Sequence, residues 1–201
     1  MTEAALVHIV DDDPAVRDSL QMLLDAAGLG ARTYSSAAEF LGAAAALRSG
    51  CVLTDVRMPD IDGLTLQRRL TELGSQLPVV VMTGHGDIPI AVEALKTGAA
   101  DFLEKPFDDE RLLRVLRDAL KASLATHEKS IARDLIRSRL ANLTKREREV
   151  LDKLVEGLPN KTIAYDLGTS PRTVEVQRAR VMEKMAARSL PDLVRMVLDA
   201  E

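Results

Sequence analysis

The chain has 201 residues, a formal net charge of −4 and 46% hydrophobic residues, a composition typical of a globular protein with one large or two small domains. It has no Trp, 2 Tyr and 3 Phe, too few aromatic rings for an RNA-binding sheet that stacks bases. No apolar run approaches the roughly 20 residues that cross a bilayer, and the N-terminus lacks the basic segment of a signal peptide. The lone Cys51 lies in an apolar run, so we expect a core residue of a reduced, cytoplasmic protein without membrane insertion.

The first half of the chain alternates strand-like and helix-like segments. The predicted strands are Ala5–Val10, Ala31–Tyr34, Cys51–Asp55, Val79–Thr83 and Ala100–Glu104, and the predicted helices are Pro14–Ala27, Ala37–Leu47, Leu64–Leu73, Ile88–Lys96 and Asp109–Ser123. Helix caps are predicted at Asp13, Asp87 and Asp108, with a capping box of Ser36 and Glu39. This alternation predicts an α/β domain with a five-stranded parallel sheet in the flavodoxin-like order 2-1-3-4-5. A generic nucleotide-binding domain would show the same alternation and is the alternative.

The second half has a purely helical pattern. Residues 124–142 are polar, lack Gly and Pro, and favour a helical linker. Four short helices follow in residues 143–201, with predicted caps at Thr144, Asn160 and Ser170. We therefore predict an α/β domain over 1–123, a linker over 124–142 and an all-α domain over 143–201.

Carboxylates gather where the first and third predicted strands end. Asp11, Asp12 and Asp13 follow the first strand, and Asp55 ends the third. Because these strands are neighbours in the predicted sheet, the carboxylates converge and repel one another. A hard divalent cation relieves this repulsion, and oxygen ligands suit Mg²⁺.

A hydroxyl and an ammonium group complete this edge of the predicted sheet. Thr83 ends the fourth strand, and Lys105 follows the fifth. Aspartate side chains, a metal ion, a hydroxyl and a lysine are the groups that phosphoryl transfer to a carboxylate requires, and Asp55 is the central nucleophile. A lone Asp after a strand is more often a helix cap and a lone Lys a solvated charge, but matching groups at separate loops are hard to explain in that way.

The segments Val10–Asp13, Asp55–Gly63, Thr83–Asp87 and Glu104–Phe107 resemble the receiver domain of two-component response regulators, over about Ala5 to Ser123. The resemblance implies that Asp55 accepts phosphate from a sensor histidine kinase. The implied Mg²⁺ ligands are Asp12, Asp11 through water, Asp55 and the backbone carbonyl of Arg57.

The same resemblance implies roles for three further residues. Lys105 pairs with the phosphoryl oxygens and precedes a cis bond to Pro106. Thr83 moves toward the phosphoryl group and lets Phe102 turn inward, although Phe102 can equally be an ordinary core aromatic. Apart from the resemblance, His85 lies in a Gly-flanked loop beside the same edge, where it either tunes dephosphorylation or is simply solvated.

A phosphatase of the haloacid dehalogenase type is the rival enzyme. Such enzymes place a second acid two residues after the nucleophile, and here that position is Arg57. We therefore expect a protein that is not an enzyme in the usual sense, whose receiver catalyses only its own phosphoryl transfer and slow autodephosphorylation.

The third helix of the all-α half has two distinct faces. Val174, Val181 and Met185 form the inward stripe, with Arg178 at its margin. The outward set is Arg172, Thr173, Glu175, Val176, Ala179 and Arg180, which suits a DNA major groove. Lys161 and Lys184 are placed to meet phosphates. A helical hairpin with merely solvated basic residues is the alternative.

The segments Leu143–Leu151, Gly157–Ala164 and Ser170–Val176 resemble the LuxR-type helix-turn-helix, an all-α four-helix domain. With the receiver, nearly the whole chain resembles the FixJ subgroup of response-regulator transcription factors; Gln177 stands where the family usually has His. The predicted DNA contacts are Lys161, Arg172, Thr173, Glu175, Val176, Arg178, Arg180 and Lys184. The implied partners are double-stranded promoter DNA, RNA polymerase and, on phosphorylation, a second copy paired through Ile88–Lys96, Ala100–Glu104 and the last receiver helix.

The charge is divided unevenly between the halves. Residues 1–123 hold 12 basic and 19 acidic side chains, a balance of −7, and residues 124–201 hold 15 basic and 12 acidic ones, a balance of +3. The mild basic balance predicts weak non-specific DNA binding that relies on dimerisation. A phosphotransfer or scaffold protein, whose helical half binds another protein, is the second function hypothesis.

Overall fold

The computed structural model describes residues 5–84 and 88–200, with the backbone alone for 88–91. The chain divides into two compact units, Met1–Glu128 and Lys129–Glu201. In chain order the elements are β1 (Val7–Val10), α1 (Pro14–Ala26), β2 (Ala31–Tyr34), α2 (Ala37–Ala44), β3 (Cys51–Asp55), α3 (Gly63–Glu72), β4 (Val79–Thr83), α4 (Ile88–Lys96), β5 (Asp101–Glu104), α5 (Asp109–Ala141), α6 (Lys145–Val155), α7 (Asn160–Asp166), α8 (Pro171–Met185) and α9 (Leu190–Ala200). Across the described residues, no helix has both the length and the apolar character of a membrane span.

The first unit contains one sheet of five parallel strands in the order β2-β1-β3-β4-β5, which confirms the predicted topology. Val10 is in register with Tyr34 on one side and with Thr54 on the other. Thr83 is in register with Glu104. The carboxyl ends of the strands therefore lie along one edge, and the loops that follow them share the same neighbourhood.

Apolar side chains cover both faces of this sheet. One cluster combines Phe40 and Leu66 with Val81 of β4. The other combines Leu24 of α1 and Leu116 of α5 with further strand residues. Since both faces are buried, the central strands are almost continuously apolar rather than alternating.

Cys51 is a fully buried member of the second cluster. Burial raises the pKa of its thiol to about 12. The reactive thiolate is therefore strongly disfavoured, and the prediction that Cys51 is a core residue is confirmed.

Most helix starts follow their predicted caps. Asp13 accepts a hydrogen bond from Ala15 N at 2.8 Å, and Asp108 accepts one from Arg111 N at 3.2 Å. The capping box of Thr144 with Glu147 is complete. Ser170 caps α8 by accepting a hydrogen bond from Thr173 N at 3.1 Å, while Asp87 and His85 lie outside the described residues.

Two cap predictions need correction. The box of Ser36 and Glu39 is half formed, because Glu39 N donates to Ser36 Oγ while the Glu39 carboxylate accepts from Ser35 N rather than from Ser36 N. Asn160 is the first residue of α7 and not its cap. The N-cap is Pro159, whose extended backbone starts the helix without any side-chain hydrogen bond, since the proline ring holds φ at a suitable value.

The α5 helix differs from the prediction in length. It was expected to end at Ser123, before a separate helical linker, yet it continues without interruption to Ala141. No Gly or Pro between 124 and 141 interrupts it. Ile136 and Leu140, near its end, pack against the core of the second unit, which includes Val150 and Val181. The domain limits at 123 and 143 stay predictions.

Candidate functional site

Three charged side chains from separate loops meet at the carboxyl edge of the sheet. Lys105 Nζ lies 2.6 Å from Asp55 Oδ1 and 3.4 Å from Asp11 Oδ2. Asp11 is buried, whereas Asp55 and Lys105 are half-buried. The parallel sheet brings together residues that are 50 and 94 positions apart along the chain.

The backbone around these carboxylates fixes their orientation. Asp55 Oδ2 accepts a hydrogen bond from Arg57 N at 2.8 Å, and Asp11 Oδ1 accepts one from Asp13 N at 2.9 Å. Behind the site, a Cβ atom at Gly63 would collide with the Asp55 carbonyl oxygen. The start of α3 therefore needs glycine for this close approach to β3.

The environment of the site raises the pKa of Lys105, which keeps it charged, and also raises the pKa of Asp11. Burial lowers the pKa of Lys105, but the hydrogen bond and charge of Asp55, together with Asp11, outweigh it and raise the pKa overall. Burial raises the pKa of Asp11, and the hydrogen bond from Asp13 N and the Lys105 charge offset only part of that rise. The ammonium therefore supplies the positive charge that two close carboxylates require.

The donor atoms at this edge fit Mg²⁺. Asp11 and Asp55 both direct a carboxylate oxygen at the Lys105 ammonium. Asp12, the next residue after Asp11, is exposed. Oxygen ligands of this kind are those that Mg²⁺ prefers. In residues 5–84 and 88–200, no group of three or more His, Cys, Asp or Glu side chains is arranged to hold a metal ion. The Mg²⁺ ligand set of Asp11, Asp12, Asp55 and the Arg57 carbonyl stays a prediction.

The two predicted switch residues lie on β4 and β5. Thr83 is buried, and its hydroxyl donates to the Gly84 carbonyl at 3.1 Å. Phe102 is half-buried and belongs to neither apolar cluster of the first unit. Both interpretations of Phe102, as a switch residue and as an ordinary core aromatic, stay predictions. The Lys105–Pro106 bond is cis, as the resemblance implied.

Two residues near the site were missed by the sequence analysis. Arg17 of α1 donates through Nη1 to the Asp11 carbonyl at 2.7 Å, which ties the carboxylate loop to the helix that follows it. Gly63 permits the close approach of α3 to the Asp55 carbonyl oxygen. Its place directly after Asp62, the cap of α3, was the signal that could have identified it.

The second unit contains the predicted helix-turn-helix, formed by α7 and α8. Val174, Val181 and Met185 of α8 are buried in its core, and Arg178 is half-buried, in agreement with the predicted inward stripe and its margin. The predicted outward residues are all exposed, namely Arg172, Thr173, Glu175, Val176, Ala179 and Arg180. One face of α8 is therefore open along its length, and it carries two arginines.

The two predicted phosphate-binding lysines differ in environment. Lys161, near the start of α7, is exposed. Lys184, near the end of α8, donates to Glu147 Oε2 at 2.6 Å and to the Asn142 carbonyl at 3.3 Å. The Glu147 side chain is only 4% exposed, so the Lys184 ammonium already has a buried partner within the unit.

Comparison with known proteins agrees with both units. Residues 7–117 match the response regulator receiver domain, and residues 141–197 match the luxR family of bacterial regulatory proteins. The chain is 56% identical to the transcriptional regulatory protein FixJ of Azorhizobium caulinodans, over 98% of this chain and 94% of that protein. It is 50% identical to FixJ of Rhizobium meliloti, over 96% of this chain and 94% of that protein.

Solved structures agree as well. The response regulator StyR superposes with a TM-score of 0.87 at 38% identity, covering 98% of this chain and 99% of StyR. Full-length FixJ from B. japonicum superposes with a TM-score of 0.61 at 47% identity, covering 99% of this chain and 98% of that one. The chain therefore belongs to the FixJ subgroup of two-component response regulators, which are transcription factors that join a receiver domain to a LuxR-type DNA-binding domain.

Proposed function

We propose that Asp55 accepts a phosphoryl group from a sensor histidine kinase, and that the phosphorylated chain then dimerises and binds promoter DNA. The contact of Lys105 with Asp55 at 2.6 Å carries this proposal. It places a cation beside the carboxylate at the open end of the sheet, where negative charge increases during transfer. Preorganised positive charge of this kind is the main source of catalysis in phosphoryl transfer.

In the transfer step, an Asp55 carboxylate oxygen attacks the phosphorus of a phosphohistidine. The new O–P bond forms as the N–P bond breaks, and the imidazole leaves with its electron pair. Lys105 then pairs with a phosphoryl oxygen, while Arg57 N, which donates to Asp55 Oδ2, keeps the carboxylate oriented. Asp11, Asp12, Asp55 and the Arg57 carbonyl would hold Mg²⁺, which when bound supplies further positive charge to the phosphoryl oxygens.

The aspartyl phosphate is stored rather than rapidly hydrolysed. The position two residues after Asp55 is Arg57, so the general acid used by phosphatases of the haloacid dehalogenase type is absent there. Autodephosphorylation is accordingly slow. This long lifetime suits a signal that has to persist while DNA is bound.

An open, largely apolar groove that includes Lys105 supports the kinase as partner. Its other lining residues are Val16, Leu20, Leu23 and Phe107, with Ala15 and the polar Ser19 and Asp109. Because the groove adjoins the phosphoacceptor edge, an apolar helix of the kinase seated there would bring its phosphohistidine close to Asp55.

Phosphorylation acts through Thr83 and Phe102 in this proposal. The Thr83 hydroxyl turns from the Gly84 carbonyl to a phosphoryl oxygen, and the half-buried ring of Phe102 moves inward. Val92 and Leu95 of α4 are exposed by 45% and 46%, which supports pairing of two receivers through α4, β5 and α5. Two linked helix-turn-helix units then bind DNA with a raised effective concentration.

The exposed face of α8 supports DNA as the ligand of the second unit. Arg172 and Arg180 are exposed on the same face as Val176, a combination that suits guanine or phosphate contacts beside a thymine methyl group. Thr173, Glu175 and Arg178 complete the proposed contacts on α8, and Lys161 contributes from α7. We infer the contact with RNA polymerase and the cytoplasmic location from membership of the family alone.

Phosphorylation with acetyl phosphate and Mg²⁺ tests the first half of this proposal. Wild-type protein should retain phosphate, and Asp55→Asn should retain none. Asp60→Asn is a matched control, because Asp60 is an exposed carboxylate five positions further on. Unchanged phosphate incorporation by Asp55→Asn would overturn the assignment.

DNA selection tests the second half. High-affinity fragments are selected from a random pool by the full-length protein with beryllofluoride and Mg²⁺. Binding should be tighter with beryllofluoride, should weaken steeply with salt, and should fall on Arg172→Ala or Arg180→Ala. Failure to enrich any sequence would count against DNA recognition.

A further inference from the structure

Three arginines of the second unit each donate a hydrogen bond to the carboxyl-terminal end of a different helix. The pairs are Arg146 Nη2 with the Leu167 carbonyl at 2.7 Å, Arg139 Nη1 with the Met185 carbonyl at 2.9 Å, and Arg137 Nε with the Ala200 carbonyl at 3.1 Å. These carbonyls stand at the ends of α7, α8 and α9. Two of the three arginines come from the last turns of α5.

Helix ends need such partners. The last carbonyls of a helix have no donor within the helix, and the helix dipole makes this end partially negative. A guanidinium group satisfies both requirements at once. At the end of α8 the chain turns at Ala186, which has a left-handed φ of 52° although it is not glycine, and Arg139 supplies a donor to the Met185 carbonyl directly before this turn.

A second contact holds the same turn of α8. Lys184 donates to Glu147 Oε2 at 2.6 Å, and Glu147 Oε2 also accepts from Thr144 N at 2.8 Å in the capping box of α6. The Glu147 carboxylate therefore links the start of α6 to the end of α8. Together with Arg139, this contact anchors the last turn of the helix that presents Arg172, Val176 and Arg180.

We propose that Arg139 and Lys184 are positioning residues for DNA recognition, which hold the C-terminal end of α8 in place and neutralise no phosphate themselves. The inference rests on the proposed DNA contacts of α8. It reassigns Lys184 from phosphate binding to positioning. It also gives the last turns of α5 a role in orienting the recognition helix, α8.

Specificity and salt dependence distinguish positioning from phosphate contact. A lost phosphate contact weakens specific and random DNA alike and lowers the salt slope by about 0.9 for each phosphate. A misplaced recognition helix loses base contacts, so specific binding falls while binding to random DNA and the salt slope persist.

The first comparison uses Arg139→Gln, Arg139→Lys and Arg137→Gln in the full-length protein, on a selected fragment and on random DNA over a range of salt. Arg137→Gln is the matched control, since it removes the same kind of cap from α9. Arg139→Gln should lose about tenfold in specific affinity, as expected for a hydrogen bond from a charged group, with an unchanged salt slope. Arg139→Lys should recover part of this loss, and Arg137→Gln should lose little.

The second comparison uses Lys184→Met against Lys161→Met. Lys161→Met should weaken both DNAs and lower the salt slope, whereas Lys184→Met should lower the ratio of specific to random binding at an unchanged slope. A lower slope for Arg139→Gln or Lys184→Met would overturn the inference, as would an equal loss of specificity in Arg137→Gln. If wild-type protein bound no DNA specifically, the proposed function itself would fail first.

Discussion

Lys105 Nζ lies 2.6 Å from Asp55 Oδ1, although fifty positions separate the two residues along the chain. The same ammonium is 3.4 Å from Asp11 Oδ2. One lysine therefore contacts two carboxylates before any phosphoryl group arrives. Its position suits it to pair with the added negative charge when the Asp55 oxygen becomes part of an acyl phosphate.

Replacing Lys105 tests this relationship. Lys105→Gln should slow phosphorylation by acetyl phosphate about 100-fold, since removing one preorganised group that stabilises the transition state typically costs 10²–10³ in rate. The rate of phosphate incorporation measures the effect. Lys121→Gln, at an exposed lysine of α5 in the same unit, is the control. A Lys105→Gln protein phosphorylated at the wild-type rate would exclude Lys105 from the transfer step.

Gly63 offers a steric test of the same site. A Cβ there would collide with the Asp55 carbonyl oxygen, so Gly63→Ala should lower the free energy of unfolding by about 1–3 kcal/mol, as overpacking usually does. It should also slow phosphorylation by displacing Asp55. Gly42→Ala is the matched control, because nothing lies within 4 Å of a Cβ at Gly42 and a helix interior favours alanine. Equal stability of the two variants would show that α3 can shift freely.

The sequence predicted the topology and the main site residues because both follow from short-range patterns. The alternation of elements implies a parallel sheet, and in such a sheet Asp55 and Lys105 end on the same edge. Helical periodicity likewise separated Val174 and Val181 from the exposed face of α8. The alternation of elements and the helical periodicity are both visible in short stretches of sequence, and the sheet order then places the strand ends.

The features that were missed depend on contacts between distant segments. The pairing of Lys184 with Glu147 requires α6 and α8 to pack together, which no spacing within α8 reveals. Pro159 displaced the predicted cap because its fixed φ was sufficient to start α7. The length of α5 was missed because a polar helix and a helical linker have the same composition.

His8 should make the stability of the first unit sensitive to pH. It is 1% exposed, its Nδ1 lies 3.1 Å from the Tyr34 hydroxyl, and within the described residues its Nε2 has no hydrogen-bond partner. Burial, aided by the charge of Arg32, lowers the pKa of His8 from 6.5 to about 4. Between these values the unfolded chain binds more protons than the folded one, so the free energy of unfolding falls as the pH drops, by about 3 kcal/mol in total.

Tyr34 fluorescence in a Tyr165→Phe background measures this effect in the first unit alone, because the chain has only 2 Tyr and no Trp. Urea unfolding is followed from pH 7 to pH 4. His8→Phe keeps an aromatic ring beside Tyr34 and Phe40 and should flatten the pH dependence in this range. An equally steep dependence in His8→Phe would assign the effect to other groups.

Glu147 should give the second unit an acid sensitivity in a lower range. The hydrogen bond from Lys184, followed by the one from Thr144 N, lowers the pKa of Glu147 from 4.5 to about 2. The stabilisation is complete above pH 4.5, where both states are ionised, and it is lost as the pH falls toward 2, because the unfolded chain takes up the proton first. Glu147→Gln should destabilise the second unit at neutral pH and remove this acid dependence.

Hydrogen exchange of amides in α6 and α8, measured between pH 7 and pH 2.5, follows the second unit separately. Glu156→Gln is the matched control, since Glu156 pairs with Lys153 at 3.2 Å but is 54% exposed, and exposed pairs contribute at most about 1 kcal/mol. Glu147→Gln should therefore reduce protection at neutral pH far more than Glu156→Gln does. If both variants kept the wild-type acid dependence, the link between α6 and α8 would not depend on the charge of Glu147, and hydrogen bonding or packing alone would hold Lys184 in place.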